Sequence, residues 1–276
     1  MTWTLTGFAD EVSPDFAEQV ALLTKLGIRH LEFRSAWKTN ILDLSEAQLA
    51  DAKAMLDAAG ITVSSIGSPI GKIRISGDLE PHLDRMRHAA TLANDFGAKY
   101  LRVFSFFIDK GDDPDRHRDE VVRRMTAIAA VAEEHGVVAL HENEKHIFGD
   151  IPSRCVDMVE AVNSPSLRLI MDPANFVQCD VNPFDDAYAA MRPYLAYMHI
   201  KDAKFGAKDV LPAGEGDGQL RQVVRALRDD GFDGFFSLEP HLGQFDAFGG
   251  MCGPDLWTVA HTAFTGLLTE QGIAFQ

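Results

Sequence analysis

The sequence predicts a single (β/α)8 barrel, and three observations support this fold class. Eight short apolar runs alternate with segments of helical periodicity along the 276 residues. In five places the helical segment ends at a glycine just before the next apolar run. The length matches the roughly 250 residues of one such barrel, and no linker or low-complexity stretch divides the chain. We therefore expect residues 1–276 to form one domain.

The repeated glycines indicate where helices stop and strands start. The pattern is a helical segment, a glycine and an apolar run, as in TKLG-IRHLEF and EEHG-VVALHE. It occurs at Gly27, Gly60, Gly97, Gly136 and Gly231. Glycine is favoured in the left-handed conformation that ends a helix. The apolar run that follows is typical of a strand in a parallel sheet covered on both faces.

The predicted elements alternate along the chain. The strands are 3–8, 28–33, 61–66, 100–104, 137–140, 167–171, 195–200 and 234–238. The helices between them are 14–26, 45–59, 81–96, 114–135, 152–162, 217–230 and 254–269. The first helix has an apolar face, and the second opens with Ser45 and Gln48 at the spacing of a capping box. A weaker helix is predicted at 182–191, because Pro183 and Pro193 bracket it.

An open, doubly wound sheet is the competing architecture for alternating strands and helices. That fold is expected to carry a Gly-x-Gly-x-x-Gly turn after an early strand, and the sequence contains no such turn. The count of eight strands favours the closed barrel. In a barrel the chemistry lies at the carboxyl ends of the strands, which is where candidate residues are sought.

Composition and charge exclude several classes of protein. The 41 acidic residues exceed the 26 basic ones, and a net charge of −15 disfavours binding to nucleic acid. No window approaches the roughly 20 apolar residues of a membrane span, and the first residues do not resemble a signal peptide. Three widely spaced cysteines form no metal-binding or disulfide pattern, so we expect free thiols in a cytoplasmic protein.

Polar residues follow four successive strands at the point where each strand ends. The segments are His-Glu-Asn-Glu at 141–144, Asp-Pro-Ala-Asn at 172–175, His-Ile-Lys-Asp at 199–202 and Glu-Pro-His at 239–241. Because parallel strands of a barrel end at the same mouth, we expect Glu142, Asp172, His199 and Glu239 to converge there. Glu144 has the same strand parity as Glu142, so it stays open as the alternative ligand from the fifth strand.

Three carboxylates and one imidazole suit a divalent ion of intermediate hardness. Mn²⁺ is the first choice, with Mg²⁺, Co²⁺, Zn²⁺ or Fe²⁺ also compatible. The carboxylates would repel one another unless a cation or protons neutralised them. A bound dication would also polarise a substrate oxygen.

Other polar residues near these strand ends are candidates for binding a substrate. His141 and His241 lie beside the predicted ligands, and either could instead orient a ligand. Lys201 could balance the acidic site or hold an anionic group. Glu32 and Arg34 share the inward parity of the second strand, where a structural ion pair is the alternative. Glycines and two acids alternate at 214–218, so we predict that Asp217 caps a helix and do not predict a phosphate-binding loop.

Taken together, these motifs resemble the sugar phosphate isomerase/epimerase family, the xylose-isomerase-like TIM barrel superfamily that is also called AP-endonuclease family 2. The resemblance rests on the four strand-end motifs, the Gly-Glu-Gly-Asp run, the opening Gly-Phe-Ala-Asp-Glu-Val-Ser at 7–13 and Gly-Ser-Pro-Ile-Gly-Lys-Ile at 67–73. It extends over essentially the whole chain. It implies a Glu-Asp-His-Glu metal site on Glu142, Asp172, His199 and Glu239.

The resemblance also implies roles for individual residues. In ketose 3-epimerases of this superfamily the two metal-bound glutamates move the proton, and these correspond to Glu142 and Glu239. Those epimerases and endonuclease IV have a histidine three residues after the aspartate, where this chain has Asn175. Asparagine can bind a sugar hydroxyl but cannot titrate near neutrality. The additional zinc-ligand histidines of the endonuclease are not matched, which further disfavours a role in DNA repair.

The expected activity is that of a metal-dependent sugar isomerase or epimerase acting through an enediolate. The same site could support a lyase or dehydratase acting on a keto-sugar, a 3-keto-glycoside or an inosose. A barrel that binds sugar without catalysis is the non-enzyme alternative. The expected partner is a small carbohydrate, with no nucleic acid and no membrane, and a homo-oligomer stays open because barrels of this type often pair.

Overall fold

Nine parallel strands form one curved sheet in the computed structural model, which describes residues 2–207, 209–246 and 249–276. The first eight are β1 Thr2–Gly7, β2 His30–Phe33, β3 Thr62–Ile70, β4 Tyr100–Val103, β5 Val138–Glu142, β6 Leu167–Met171, β7 Leu195–Ile200 and β8 Phe235–Leu238. The short β9, Ala274–Phe275, pairs with the outer side of β1. The hydrogen-bonded order is β9-β1-β8-β7-β6-β5-β4-β3-β2, and β2 curls round to lie against β1. The predicted barrel is confirmed.

Helices cover the outside of the sheet. They are α1 Phe16–Lys25, α2 Glu46–Ala59, α3 Glu80–Asp95, α4 Arg118–Glu134, α5 Pro152–Val162, α6 Pro173–Val177, α7 Leu220–Asp229 and α8 Gly253–Glu270. The capping box predicted for α2 is present, because Ser45 and Gln48 exchange side-chain and backbone hydrogen bonds. The weaker helix predicted between the two prolines is a π turn, Pro183–Tyr188, that continues into Ala189–Met191.

The prediction that Asp217 caps a helix is wrong. Helix α7 begins three residues later, and its cap residue Gln219 has a left-handed backbone and no capping side chain. Asp217 Oδ2 instead accepts a hydrogen bond of 2.9 Å from the backbone N–H of Phe205. The carboxylate therefore closes the loop after β7 and leaves the helix without a side-chain cap.

Large apolar side chains fill the layer between the strands and the helices. Trp3 and Phe236 stack with ring centroids 4.0 Å apart. Trp257 of α8 packs so closely on Gly7 that a Cβ at position 7 would lie 2.7 Å from its ring. Burying one such aromatic side chain stabilises a protein by roughly 2–3 kcal/mol. Within the described residues, none of the helices combines the length and apolarity needed to cross a membrane.

A network of hydroxyl groups lies inside the barrel, below the strand ends. Thr6 Oγ1 lies 2.8 Å from Ser64 Oγ, which lies 2.9 Å from the hydroxyl of Tyr197. All three side chains are buried. They come from alternate, inward positions of β1, β3 and β7, as the pleat of a barrel strand requires. We call these three residues the interior network.

Candidate metal centre

Four strand-end residues meet at the mouth of the barrel. Glu142 ends β5, Asp172 follows β6, His199 lies in β7 and Glu239 follows β8. One ligand atom from each lies within 4.8 Å of those of the other three, and all four side chains are buried. The structure therefore brings together the four residues from which the sequence predicts a metal site. They are called the ligand cluster below.

Asp172 is held in place by the backbone around it. Its Oδ1 accepts a 3.0 Å hydrogen bond from the N–H of Asn175, so Asp172 caps α6. The side chain of Asn143 bonds both the N–H and the C=O of Asp172, at 2.8 and 3.0 Å. Asp172 Oδ2 lies 2.7 Å from Lys201 Nζ. Burial, together with the charges of Glu239 and Glu142, raises the pKa of Asp172 to about 7, although Lys201 opposes this shift.

Glu142 lies between two nitrogen donors and an imidazole. Arg102 Nη1 donates to its Oε2 at 3.1 Å, and Asn175 Nδ2 donates to its Oε1 at 3.2 Å. His199 Nδ1 lies 3.2 Å from the same Oε1. Burial opposes ionisation, but the charges of His199 and Arg102 outweigh it and lower the pKa of Glu142 to about 2.

Arg102 is not among the predicted site residues, because it lies inside the apolar run of β4. Its side chain is buried, and its Nη1 also lies 3.8 Å from Glu239 Oε1. Its position could have indicated a role in the site, because an arginine in the middle of a strand buried on both faces needs a carboxylate partner. Here the partners are two members of the ligand cluster.

Glu239 is surrounded by cationic groups. Its Oε2 lies 2.8 Å from Lys201 Nζ, and its Oε1 accepts a 3.0 Å hydrogen bond from Arg34 Nη1. His241 Nε2 lies 3.5 Å from the same Oε1. Burial opposes ionisation, but Lys201 and the neighbouring charges outweigh it and hold the pKa of Glu239 well below its usual range. Lys201 thus balances the acidic site by contacting two members of the ligand cluster.

Arg34 connects the second strand to the first and the eighth. It forms a two-point ion pair with Asp10, through Nε at 2.8 Å and Nη2 at 3.0 Å, and its Nη2 also lies 3.4 Å from Glu11. Glu32, which shares its strand parity, contacts His199 at 3.1 Å. Glu32 of β2 and Arg34, which directly follows that strand, thus both face the site, and each contacts a different group of charges.

The histidines and Glu144 occupy different environments. His241 has a positive φ of 47°, and its N–H donates to Glu11 Oε2 at 2.8 Å. Burial lowers the pKa of His241 to about 3, which leaves a neutral ring at the cavity wall.

His141 is fully buried away from the cavity lining, with Nε2 2.9 Å from Ser105 Oγ, so its placement does not support a substrate contact. Glu144 lies outside the ligand cluster, with Oε2 3.4 Å from Lys72 Nζ.

A cavity of about 340 Å³ opens onto the ligand cluster. Its lining includes Arg34, Lys72, Arg102, Glu144, Lys201 and His241, together with Glu142 and Glu239 from the cluster. This volume lies near the lower end of the range for small-molecule sites. Both donors and acceptors line it, which suits a ligand rich in hydroxyl groups.

The charges around the cavity leave room for a divalent ion. The buried or nearly buried carboxylates are Asp10, Glu11, Glu32, Glu142, Asp172 and Glu239, and the permanently cationic side chains among them are Arg34, Arg102 and Lys201. The raised pKa of Glu11 keeps it largely protonated at neutral pH, so if the other five acids ionise against three permanent cations, two negative charges remain without a permanent partner. A dication offsets both of them, and the O₃N donor set of the ligand cluster suits one. The residues present therefore fit a divalent metal.

The fold and the ligand cluster define a class of protein: a parallel α/β barrel with a carboxylate–histidine centre at the carboxyl ends of its strands. Residues 20–251 match the family described as xylose isomerase-like TIM barrel. The chain belongs to this family, and the resemblance in its strand-end motifs is confirmed.

Comparison with curated proteins finds a sugar phosphate epimerase. The 2-epi-5-epi-valiolone 7-phosphate 2-epimerase of Actinoplanes sp. is 27% identical over 229 residues, which is 79% of each chain. Among solved structures, the probable 3-DHS dehydratase AsbF involved in petrobactin synthesis from Bacillus anthracis has a TM-score of 0.73 at 20% identity, over 96% of this chain and 99% of that one. The curated relative indicates that the chain is an enzyme, whereas AsbF, at 20% identity, shows the shared fold alone.

Two further solved structures share the fold. D-Psicose 3-epimerase with D-tagatose, from Clostridium cellulolyticum H10, has a TM-score of 0.75 at 18% identity, over 96% of this chain and 98% of that one. A xylose isomerase-like TIM barrel protein of Mycobacterium smegmatis, in complex with magnesium, has a TM-score of 0.70 at 20% identity, over 97% of each chain. At these identities the similarity shows the fold alone.

Glu11 provides a test of the electrostatics beside the cluster. Burial, helped by Glu239 and Asp10 and opposed by Arg34, raises its pKa to about 8. A raised carboxyl pKa contributes stability that is present below the unfolded pKa and is lost as pH rises through the folded one. Between pH 5 and 9, we expect the unfolding free energy of the wild type to fall relative to that of Glu11→Gln by on the order of 3 kcal/mol.

The measurement is urea unfolding at several pH values in EDTA, and the slope against pH is the quantity compared. Glu18→Gln, on the exposed face of α1, is the control and should leave this slope unchanged. Parallel curves for the wild type and Glu11→Gln would show that Glu11 is already ionised at pH 5.

Proposed function

We propose that this protein is a divalent-metal-dependent isomerase or epimerase that acts on a sugar or keto-sugar through an enediolate. The observation that carries the proposal is the ligand cluster, Glu142, Asp172, His199 and Glu239, at the base of a cavity of about 340 Å³. Mn²⁺ is the first choice for the metal, since mixed oxygen and nitrogen ligands suit it. The structural neighbour in complex with magnesium supports a divalent ion.

When bound, the divalent ion would polarise the substrate carbonyl and make the adjacent hydrogen more acidic. Glu142 and Glu239 are assigned the proton transfers, because both line the cavity and correspond to the glutamates that move the proton in the ketose 3-epimerases that the chain resembles. Lys201 and Arg34 hold Glu239 in position between them. Return of the proton to the other face of the same carbon is epimerisation, and return to the neighbouring carbon is isomerisation.

Binding of the substrate is assigned to residues around the cluster. Arg34, Lys201 and His241 line the cavity, while Asn175 lies 3.2 Å from Glu142 and 2.9 Å from the carbonyl of Asn143. A small carbohydrate is the proposed partner, and the epimerase relatives support that class. A cytoplasmic location and a homo-oligomer stay predictions.

Elimination is the second candidate, because AsbF is a probable dehydratase with the same fold. The same carboxylates would remove the proton, and a β-hydroxyl would leave as hydroxide, with its negative charge stabilised by the Lys201 ammonium beside Glu239. The substrate would then be a keto-sugar, a 3-keto-glycoside or an inosose. A barrel that binds sugar without catalysis is the remaining alternative.

Proton NMR in D₂O tests these outcomes with a panel of ketoses, 3-keto-glycosides and inososes. The reactions are run with protein loaded with Mn²⁺, and the Mn²⁺ is removed before the spectra are recorded. We expect deuterium at the carbon next to the carbonyl without elimination, and a loss of about 10²–10⁴-fold in that exchange for Glu239→Gln. An enone product would favour the lyase. A protein that binds no divalent ion and exchanges no proton would overturn the enzyme proposal.

A further inference from the structure

The imidazole of His199 lies between two carboxylates, and each contacts a different ring nitrogen. Nε2 lies 3.1 Å from Glu32 Oε2, and Nδ1 lies 3.2 Å from Glu142 Oε1. All three side chains are buried, and His199 and Glu32 have no exposed surface. The ring therefore has one edge towards the ligand cluster and the other towards β2.

We propose that Glu32 is a positioning residue of the metal centre, which accepts the Nε2 hydrogen of His199 and so directs Nδ1 to the ion. A ligating imidazole must offer the lone pair of one ring nitrogen, and the hydrogen bond at the other nitrogen decides which one is free. A carboxylate partner also makes the ring a stronger donor to the metal. The inference rests on the metal centre proposed above.

The ring of His199 is fixed by apolar contacts as well. Phe8 meets it edge-on with ring centroids 5.2 Å apart, and Tyr197 does so at 6.0 Å. These contacts oppose a flip of the imidazole, which would exchange its two nitrogens. The choice of Nδ1 is thus set by the packing and by Glu32 together.

Glu32 also interacts with the interior network of the barrel. The negative charge of Glu32 helps to raise the pKa of the buried Tyr197, whose hydroxyl lies 2.9 Å from Ser64 Oγ of the interior network. Arg34, which directly follows β2, is occupied by Asp10 and Glu239 instead. Glu32 is thus left to face His199, outside the ion pairs that Arg34 makes.

The wild-type protein gives the first test, which does not depend on any variant folding. In ¹⁵N NMR of histidine-labelled protein loaded with Zn²⁺, we expect His199 to coordinate through Nδ1 and to carry its proton on Nε2, with His199→Gln assigning the signals. Coordination through Nε2 would overturn the inference. A wild type that binds no Zn²⁺ would instead overturn the metal centre, so the two failures are distinguishable.

Two substitutions of Glu32 give the second test, read as the dissociation constant for Zn²⁺ by competition with a chromophoric chelator. Glu32→Ala should weaken binding by about 10–100-fold, the usual effect of losing such a partner. Glu32→Gln keeps an acceptor for Nε2–H and should recover part of that loss. Glu18→Gln, on the exposed face of α1 and away from the site, is the control and should leave the affinity unchanged. An unchanged affinity in Glu32→Ala would overturn the inference.

Discussion

Glu142→Gln is expected to weaken divalent-ion binding by more than about a hundredfold, because loss of a direct ligand exceeds the effect of losing its supporting partner. The change also removes the charge that compensates the buried Arg102 at 3.1 Å. Breaking a buried pair in this way costs about 3 kcal/mol or more, so a lower unfolding free energy should accompany the loss. Chelator competition and urea unfolding measure the two effects, and circular dichroism checks that the variant is folded.

Glu144→Gln is the matched control, since both glutamates come from the end of β5 and the sequence left both open as ligands. Glu144 lies beside the partly exposed Lys72, outside the ligand cluster. Its replacement should change the metal affinity by less than about fivefold, as expected for a weak surface pair. If Glu144→Gln lost the ion and Glu142→Gln retained it, the assignment of the fifth-strand ligand would be reversed.

Asp202→Ala is expected to destabilise the fold by about 3–6 kcal/mol, because several buried N–H groups would lose their acceptor. The carboxylate accepts hydrogen bonds from the backbone of Ala203, Gly214, Gly216 and Gly218 at 2.8–3.1 Å. Gly216 and Gly218 approach it so closely that a Cβ would lie 2.3 and 2.6 Å from Oδ1. Urea unfolding measures the loss, and Asp202→Asn, which keeps one acceptor oxygen, should fall between wild type and alanine.

Asp217→Ala tests the same loop by removing a single side-chain hydrogen bond. Asp217 accepts only the N–H of Phe205 among the described residues, near the surface, and its loss should cost about 1 kcal/mol. Equal losses for the two alanine variants would mean that the loop does not depend on the Asp202 carboxylate. The stability of this loop bears on the site because Asp202 directly follows Lys201, which contacts Asp172 and Glu239.

The fold and the ligand cluster were predictable because each depends on local pattern. A strand end is marked by the change from apolar to polar residues, and strand alternation then decides which side chains face inwards. This rule also separates His141 from Glu142, since neighbours in a strand point to opposite sides. The structure accordingly places His141 beside Ser105 and away from the cavity.

Partners that are distant in sequence, or that belong to the backbone, left no comparable pattern. The acceptor role of Asp202 depends on N–H groups 12–16 residues further along. Arg102 pairs with Glu142 of the adjacent strand β5, and Glu32 of β2 reaches His199 of β7 across the barrel; the pattern within a single strand indicates neither pairing. The amino-acid composition gives the number of charged residues, but it does not show which of them form ion pairs.

The contacts that complete the mouth of the barrel join opposite ends of the chain. Arg34 bonds Glu239 across 205 residues of sequence, and the thiol of Cys252 donates to Glu11 across 241. Contacts of such separation form late, because the intervening chain must first be brought together. During synthesis, Asp172 and His199 can emerge and fold long before Glu239 exists. If the ligand cluster takes up the proposed divalent ion, high-affinity uptake should coincide with closure of the barrel and would report that folding is complete.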